Sequence, residues 1–277
     1  MYVTKNYLKT HLRKRLVTSH KGQNGRLLVV GGSRLYFGSP ILVSLAAFRT
    51  GIDLVYLLTP EYISKHLAPQ YPDLIVWGYE GEYLNEKALP LFEELKTKTD
   101  AMVIGNGLTK QPGVLKTTTK LLSEWDKPLV IDADAVQPNL KTNSKQLLYT
   151  PHSIELSRLT GVKTPENLKE RIKLVEKTAR ELSATILLKG RPDIISDGKQ
   201  LMFNHIHNPG MTVGGTGDTL AGIAGALLSQ RHTPFESACM AAYINGLAGN
   251  LAMKKYGYSL LASDLINEIP TIMKKFQ

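Results

Sequence analysis

The sequence predicts one α/β domain, built on a mainly parallel sheet with helices on both faces. Three observations carry that reading. Apolar runs of strand length alternate with helical patterns along most of the chain, which is the arrangement of successive βαβ units. No Pro-, Gly- or Ser-rich linker and no repeat divides the 277 residues, so a single domain spans 1–277. The glycine and polar clusters fall just past the strand ends, where ligands bind in such sheets.

Arg26 to Gly32 reads as a buried strand closing in a glycine turn. Pro40 to Thr50 reads as a helix, with Pro in its first turn and Gly51 beyond its end. Asp53–Leu58 is a strand and Glu61–Ala68 a helix. Ala101–Gly105 is a strand, Leu115–Trp125 a helix and Pro128–Asp132 a strand. Leu147–Thr150 is a short strand running into Pro151 and His152. Thr164-Pro165 is expected to cap a long helix ending at Leu182. Ala184–Lys189 is a strand. Asp193–Ser196 and Gln200–Asn204 flank Asp197-Gly198-Lys199 as a hairpin. From Asp218 onward the pattern is mostly helical.

Composition excludes several classes. The single cysteine, Cys239, sits in an apolar run, forms no internal disulfide and suits a reducing compartment. No signal peptide is visible, and no run approaches the ~20 apolar residues of a membrane helix. A cytoplasmic protein is expected. Net charge is +10, and nine Lys and Arg precede the first acid, Asp53. That basic arm lacks interleaved aromatics and any nucleic-acid-binding motif, so it reads as a solvated face that attracts small polyanions rather than nucleic acid.

Asn208 to Gly222 carries the most chemistry. Gly210, Gly214, Gly215 and Gly217 surround one carboxylate, Asp218, and an apolar helix follows. Glycines permit a sharp turn and close approach to a ligand. A helix start offers unpaired N–H groups and a positive dipole end to an anion. A carboxylate at that spot points to phosphoryl transfer or proton abstraction. Neither a GxxxxGK[ST] loop nor a GxGxxG fingerprint occurs, and CxxC and HExxH are absent. His205 and His207 read as a surface strand rather than a metal pair.

Taken together, the strand-end motifs resemble a known family. Gly214-Gly215-Thr216-Gly217-Asp218 is similar to the anion-hole loop of ribokinase-like proteins. Ser19-His20-Lys21-Gly22, Gly31-Gly32-Ser33-Arg34 with Gly38-Ser39-Pro40, and Gly105-Asn106-Gly107-Leu108 narrow the resemblance. Asp132-Ala133-Asp134-Ala135, Thr150-Pro151-His152-Ser153-Ile154-Glu155, Leu188-Lys189-Gly190 and Asn208-Pro209-Gly210-Met211 narrow it further, to the ADP-dependent NAD(P)H-hydrate dehydratases. The chain departs from that pattern at Ser39, usually alanine, at Asn106, often proline, and at Val136-Gln137, usually Leu-Asn.

The resemblance implies a ribokinase-like three-layer α/β/α fold with a central, mostly parallel sheet. It implies ADP-driven dehydration of NADH hydrate and NADPH hydrate, with AMP and phosphate released, and a separate epimerase acting on the same substrate. It also implies Mg²⁺ and a homo-oligomer, a tetramer or larger. Asp218 is the expected base, with Gly215, Thr216 and Gly217 as anion hole. Ser39, Gly105, His152 and Asp218 are expected against the hydrated nucleotide. Lys189, Gly190, Arg191, Pro192, Asp193 and Gly217 are expected against ADP or AMP. Glu155 either holds Mg²⁺ through water or caps its helix; Asp132 either orders Mg²⁺ or caps a loop, and Asp134 reads as structural. A ribokinase-like kinase of a vitamin-precursor alcohol would share the loop and the fold. A non-catalytic nucleotide- or nucleic-acid-binding protein would gain nothing from Asp218.

Overall fold

The computed structural model describes residues 1–67 and 70–276. Its centre is a nine-stranded sheet in the order β3-β2-β1-β4-β5-β6-β7-β8-β9. The strands are β1 (Arg26–Val30), β2 (Leu54–Pro60), β3 (Ile75–Tyr79), β4 (Ala101–Ile104), β5 (Leu129–Ile131), β6 (Leu147–Tyr149), β7 (Thr185–Leu188), β8 (Asp193–Ser196) and β9 (Leu201–Asn204). β1 through β7 pair in parallel, and β7-β8-β9 are antiparallel, so the expected hairpin closes one edge.

Ten helices are described: α1 (Lys5–His11), α2 (Gly38–Thr50), α3 (Glu61–Leu67), α4 (Leu89–Lys98), α5 (Pro112–Glu124), α6 (Ser153–Thr160), α7 (Leu168–Leu182), α8 (Thr216–Ser229), α9 (Pro234–Tyr256) and α10 (Ala262–Met273). Successive strand residues point to opposite faces, so β1 feeds two cores. Leu27 and Val29 join the layer of α2, α8, α9 and α10, while Leu28 and Val30 join that of α4, α5 and α7. This is the expected three-layer arrangement. Parallel strands covered on both faces read as continuous apolar runs, which is why β1, β4 and β7 are visible in the sequence.

The differences have local causes. β3 escapes the pattern because it is a half-exposed edge strand with Gly78 inside it. The helix expected behind Thr164-Pro165 begins later, at Leu168, because Asn167 Oδ1 accepts from the N–H groups of Lys169 and Glu170. Thr164 instead donates its hydroxyl to Ser153 O and braces α6. His205 and His207 follow β9 without forming a strand. The helix from Glu61 is described as far as Leu67; its expected end, Ala68, lies outside the described residues.

Two features aim α8 at the functional end of the sheet. A Cβ at Gly222 would lie 2.2 Å from Val43 O, so only glycine lets α8 approach α2 this closely. The fully buried run Thr219–Ser229 then wedges α8 against the sheet. Among the described residues, no helix is long and apolar enough to cross a membrane. Burial pushes the Cys239 thiol up to about 12, so it behaves as a small core side chain.

Candidate active site

The strand order reverses between β1 and β4, and the loops beyond them part to leave a crevice. Gly105-Asn106-Gly107 lies in it, held by the Gly32 N–H, which donates to Asn106 O at 2.9 Å. Asp218 enters from the first turn of α8. That helix follows Gly215, at φ 95°, and has no side-chain cap, so its first N–H groups lack a helical acceptor.

A connected polar cluster fills the crevice. Asn106 Nδ2 donates to Asp218 Oδ1 at 2.6 Å and to Asp132 Oδ2 at 2.9 Å. Asp132, buried beyond β5, also accepts from Thr150 Oγ1 at 2.8 Å and Lys189 Nζ at 2.9 Å. Lys189 Nζ lies 3.7 Å from Glu155 Oε2, and a Cβ at Gly217 would stand 3.4 Å from that ammonium. The lysine therefore faces the start of α8, where cation and helix dipole together favour a phosphate.

Burial sets the electrostatics. It pushes the Asp218 carboxyl up to about 6, against hydrogen bonds from Asn106 and Ser39. Burial also raises Glu155. For Lys189, burial works against the charge, but Asp132, Glu155 and Asp218 outweigh it and the pKa rises. A carboxylate poised near neutrality between donors is suited to accepting a proton.

Two cavities meet at adjacent residues. One, of about 490 Å³, is lined by Lys189, Gly190, Arg191, Asp193, Thr216 and Gly217, with Asn245 and Met211 deeper in. The other, of about 480 Å³, is lined by Tyr36, Ser39, Gly107, Lys110, Asp134 and Asp218. Most of the expected nucleotide residues thus share the first cavity, and Ser39 and Asp218 share the second. Pro192, joined to Arg191 by a cis peptide bond, lines neither. Gly215 sets the turn behind Gly217, packed against Leu42 and Ala262.

Other expected residues make framework contacts. Gly105 lines neither cavity; it packs under the Asp132 carbonyl. His152 lines neither and caps α6: its Nδ1 accepts from the N–H groups of Ile154 and Glu155. Glu155 returns the bond by accepting from His152 N at 2.8 Å, which completes a capping box. Asp134 accepts from Thr109 N at 3.0 Å and braces its loop. The Ser19-to-Gly22 motif lies at the other end of the sheet, where Asp53 accepts from the Gly22 and Asn24 N–H groups before β2.

Sequence reasoning passed over Asn245, assigned no role to Asn106 or Thr150, and read His207 as part of a surface strand. His207 lines the first cavity, and Asn245 Oδ1 accepts from Thr219 Oγ1 at 2.7 Å beside it. Asn106 and Thr150 were visible inside motifs without a role of their own, and Asn245 follows no motif.

The sequence model of a family described as NAD(P)H-hydrate dehydratase matches residues 27–271. The chain belongs to that family. An NAD(P)H-hydrate dehydratase family member from Nitrosopumilus maritimus, named ADP-dependent (S)-NAD(P)H-hydrate dehydratase, is 43% identical over 99% of this chain and 97% of its own length. The bifunctional NAD(P)H-hydrate repair enzyme Nnr of Methanothermobacter thermautotrophicus is 38% identical over 92% of this chain, which spans 51% of that protein. The solved structure of the ADP/ATP-dependent NAD(P)H-hydrate dehydratase of Bacillus subtilis, co-crystallised with ATP and Mg²⁺, superposes with a TM-score of 0.86 at 26% identity. It covers 100% of this chain and 98% of that one. The fold of this dehydratase-family chain is accordingly the ribokinase-like one that its motifs implied.

Proposed function

We propose that the protein is an ADP-dependent (S)-NAD(P)H-hydrate dehydratase, a carbon–oxygen lyase that returns hydrated NADH or NADPH to the working cofactor. One observation carries the reading: Asp218 lines the second cavity and its neighbour Gly217 the first, at the uncapped start of α8 and beside Lys189.

ADP occupies the first cavity, with its terminal phosphoryl group at the N–H groups of Thr216 and Gly217. The hydrated nicotinamide ring enters the second, its hydroxyl toward Asp218. Asp218 takes the hydroxyl proton as that oxygen attacks phosphorus, the bond to the leaving oxygen breaks, and AMP departs. The N–H groups and Lys189 stabilise charge on the transferring group. The ring nitrogen then expels phosphate, and loss of a proton from the neighbouring carbon restores the ring double bond. The crevice aligns the two reactants, and alignment is the larger part of such catalysis.

Mg²⁺ would neutralise phosphate charge when it accompanies the nucleotide. The candidate carboxylates fit a direct ligand role poorly. Asp132 already accepts from Asn106, Thr150 and Lys189, Glu155 is committed to its cap, and the Lys189 ammonium lies near both. A separate epimerase acting on the same substrate, and assembly as a tetramer or larger, belong to the same reading.

The test is to mix the protein with each hydrate and either ADP or ATP, and to follow the absorbance of regenerated NADH or NADPH. Turnover with ADP is expected. No turnover with either donor, together with ATP-dependent phosphorylation of a vitamin-precursor alcohol, would replace the dehydratase by the kinase reading.

A further inference from the structure

Asn106 is nearly fully buried, at 1% exposure, and its amide bonds to both carboxylates at the heart of the crevice. Its place is fixed by the backbone. A Cβ at Gly105, φ 127°, would stand 1.8 Å from Asp132 O, so the loop is pressed onto the turn after β5. On its other side, Asn106 O accepts from Gly32 N–H beyond β1. The side chain is thereby sent across the switch point to α8.

The orientation of the amide follows from its partners. Ionised carboxylates only accept, so both must face Nδ2; the opposite orientation would set Oδ1 against two carboxylate oxygens. The cost is visible, because Asn106 Oδ1 is buried without a hydrogen-bond partner. A proline in this place would donate nothing, and an aspartate would add a third negative charge.

The two ends of the bridge are unequal. Asp132 has two further donors, Thr150 and Lys189. Asp218 uses Oδ1 for Asn106 and has one further donor, Ser39, while its Oδ2 lies 4.0 Å from where a Cβ of Gly215 would stand, on the side of the glycine turn before α8.

We propose that Asn106 is a positioning residue for the base: it holds Asp218 Oδ1, leaves Oδ2 as the oxygen that receives the proton, and ties that carboxylate to the Asp132–Lys189 pair. The proposal deepens the dehydratase reading and rests on it. Its consequences are distinct from those of a packing role. Removing the donor withdraws a bond that favours the charged carboxylate, so the base titrates at higher pH in its absence.

The experiment uses the full chain and Asn106→Leu, which keeps the size and loses both donors. With ADP and NADH hydrate, kcat should fall roughly 10- to 100-fold, the loss of one hydrogen bond to a charged group. KM for ADP should hold, since Asn106 does not line the first cavity. The acid limb of the kcat/KM profile should move to higher pH. Unchanged kcat, or a fall in kcat with the limb unmoved, overturns the proposal.

A second measurement needs no substrate and leaves Asn106 in place. In the wild-type protein, the side-chain amide protons of Asn106 should shift in NMR spectra as Asp218 titrates, and the response should vanish in Asp218→Ala. Amide signals indifferent to pH through that range overturn the proposal even if Asn106→Leu does not fold. Failure of the wild type to act on the hydrate would sink the dehydratase reading instead, and leaves the NMR result to decide the bridge.

Discussion

The Lys189 ammonium donates to Asp132 Oδ1 at 2.9 Å, tying the end of β7 to the turn after β5. The side chains are 20% and 2% exposed, so the pair is largely withdrawn from water. Lys189 also borders the first cavity, so one group neutralises buried carboxylates and faces the space proposed for ADP.

Lys189→Met should therefore damage stability and binding together. It leaves Asp132 and Glu155 without their cation, and breaking such a pair by removing one partner costs about 3 kcal/mol. Denaturant unfolding should show that loss, and ADP titration calorimetry should show weaker binding. A variant of wild-type stability would refute the structural half of this role.

Asp218→Ala separates chemistry from binding. Turnover should fall by roughly 10²- to 10⁴-fold, the usual contribution of a positioned base. ADP affinity should be largely retained, because the first cavity is lined by Gly217 and Lys189 rather than by Asp218. Full turnover in the variant would rule Asp218 out as the base.

The pH dependence of activity and of stability should run in opposite directions. Asp218 must be ionised to accept a proton, so kcat/KM should fall below a midpoint of about 6. For stability, burial raises Asp218 from 3.8 to about 6, and Asp193 likewise. The folded protein then holds more protons than the unfolded chain between those values. These two groups favour folding at low pH and lose that contribution as pH rises through 6. Unfolding curves across this window should be flatter for Asp218→Asn than for the wild type.

His152 acts through its helix cap. His152→Ala should destabilise by about 1 kcal/mol, and His152→Asn, which can still accept from the first turn of α6, should recover most of it. Equal melting temperatures for the two variants would contradict this.

Gly105→Ala tests the close contact beneath the site. At φ 127°, with Asp132 O at 1.8 Å from the added carbon, the chain must move, and a loss of about 3 kcal/mol is expected from strain and overpacking. Differential scanning calorimetry would measure it.

The architecture was legible because buried parallel strands are unbroken apolar runs and because glycines and polar residues mark their ends. The half-exposed β3 and the short α6 gave no such contrast. Within the site, Asp218 and Lys189 stood out by motif. His152 and Gly105 stood out equally, and the tertiary structure adds that one caps α6 and the other packs under the Asp132 carbonyl, contacts that a motif does not record.

The sequence by itself determined the layers, the parallel sheet, the glycine turn before α8 and the family, all of which depend on local pattern and ordered motifs. Only the tertiary structure decided which groups meet. Asn106, Asp132, Lys189 and Asp218 are separated by 26 to 112 positions along the chain, yet share hydrogen bonds across the crevice. Their pairing is fixed by the strand-order reversal between β1 and β4 and by the close approach of α8 to α2. Burial at that junction then raises the Asp218 carboxyl to a value suited to a base, a property of its surroundings that no stretch of sequence contains.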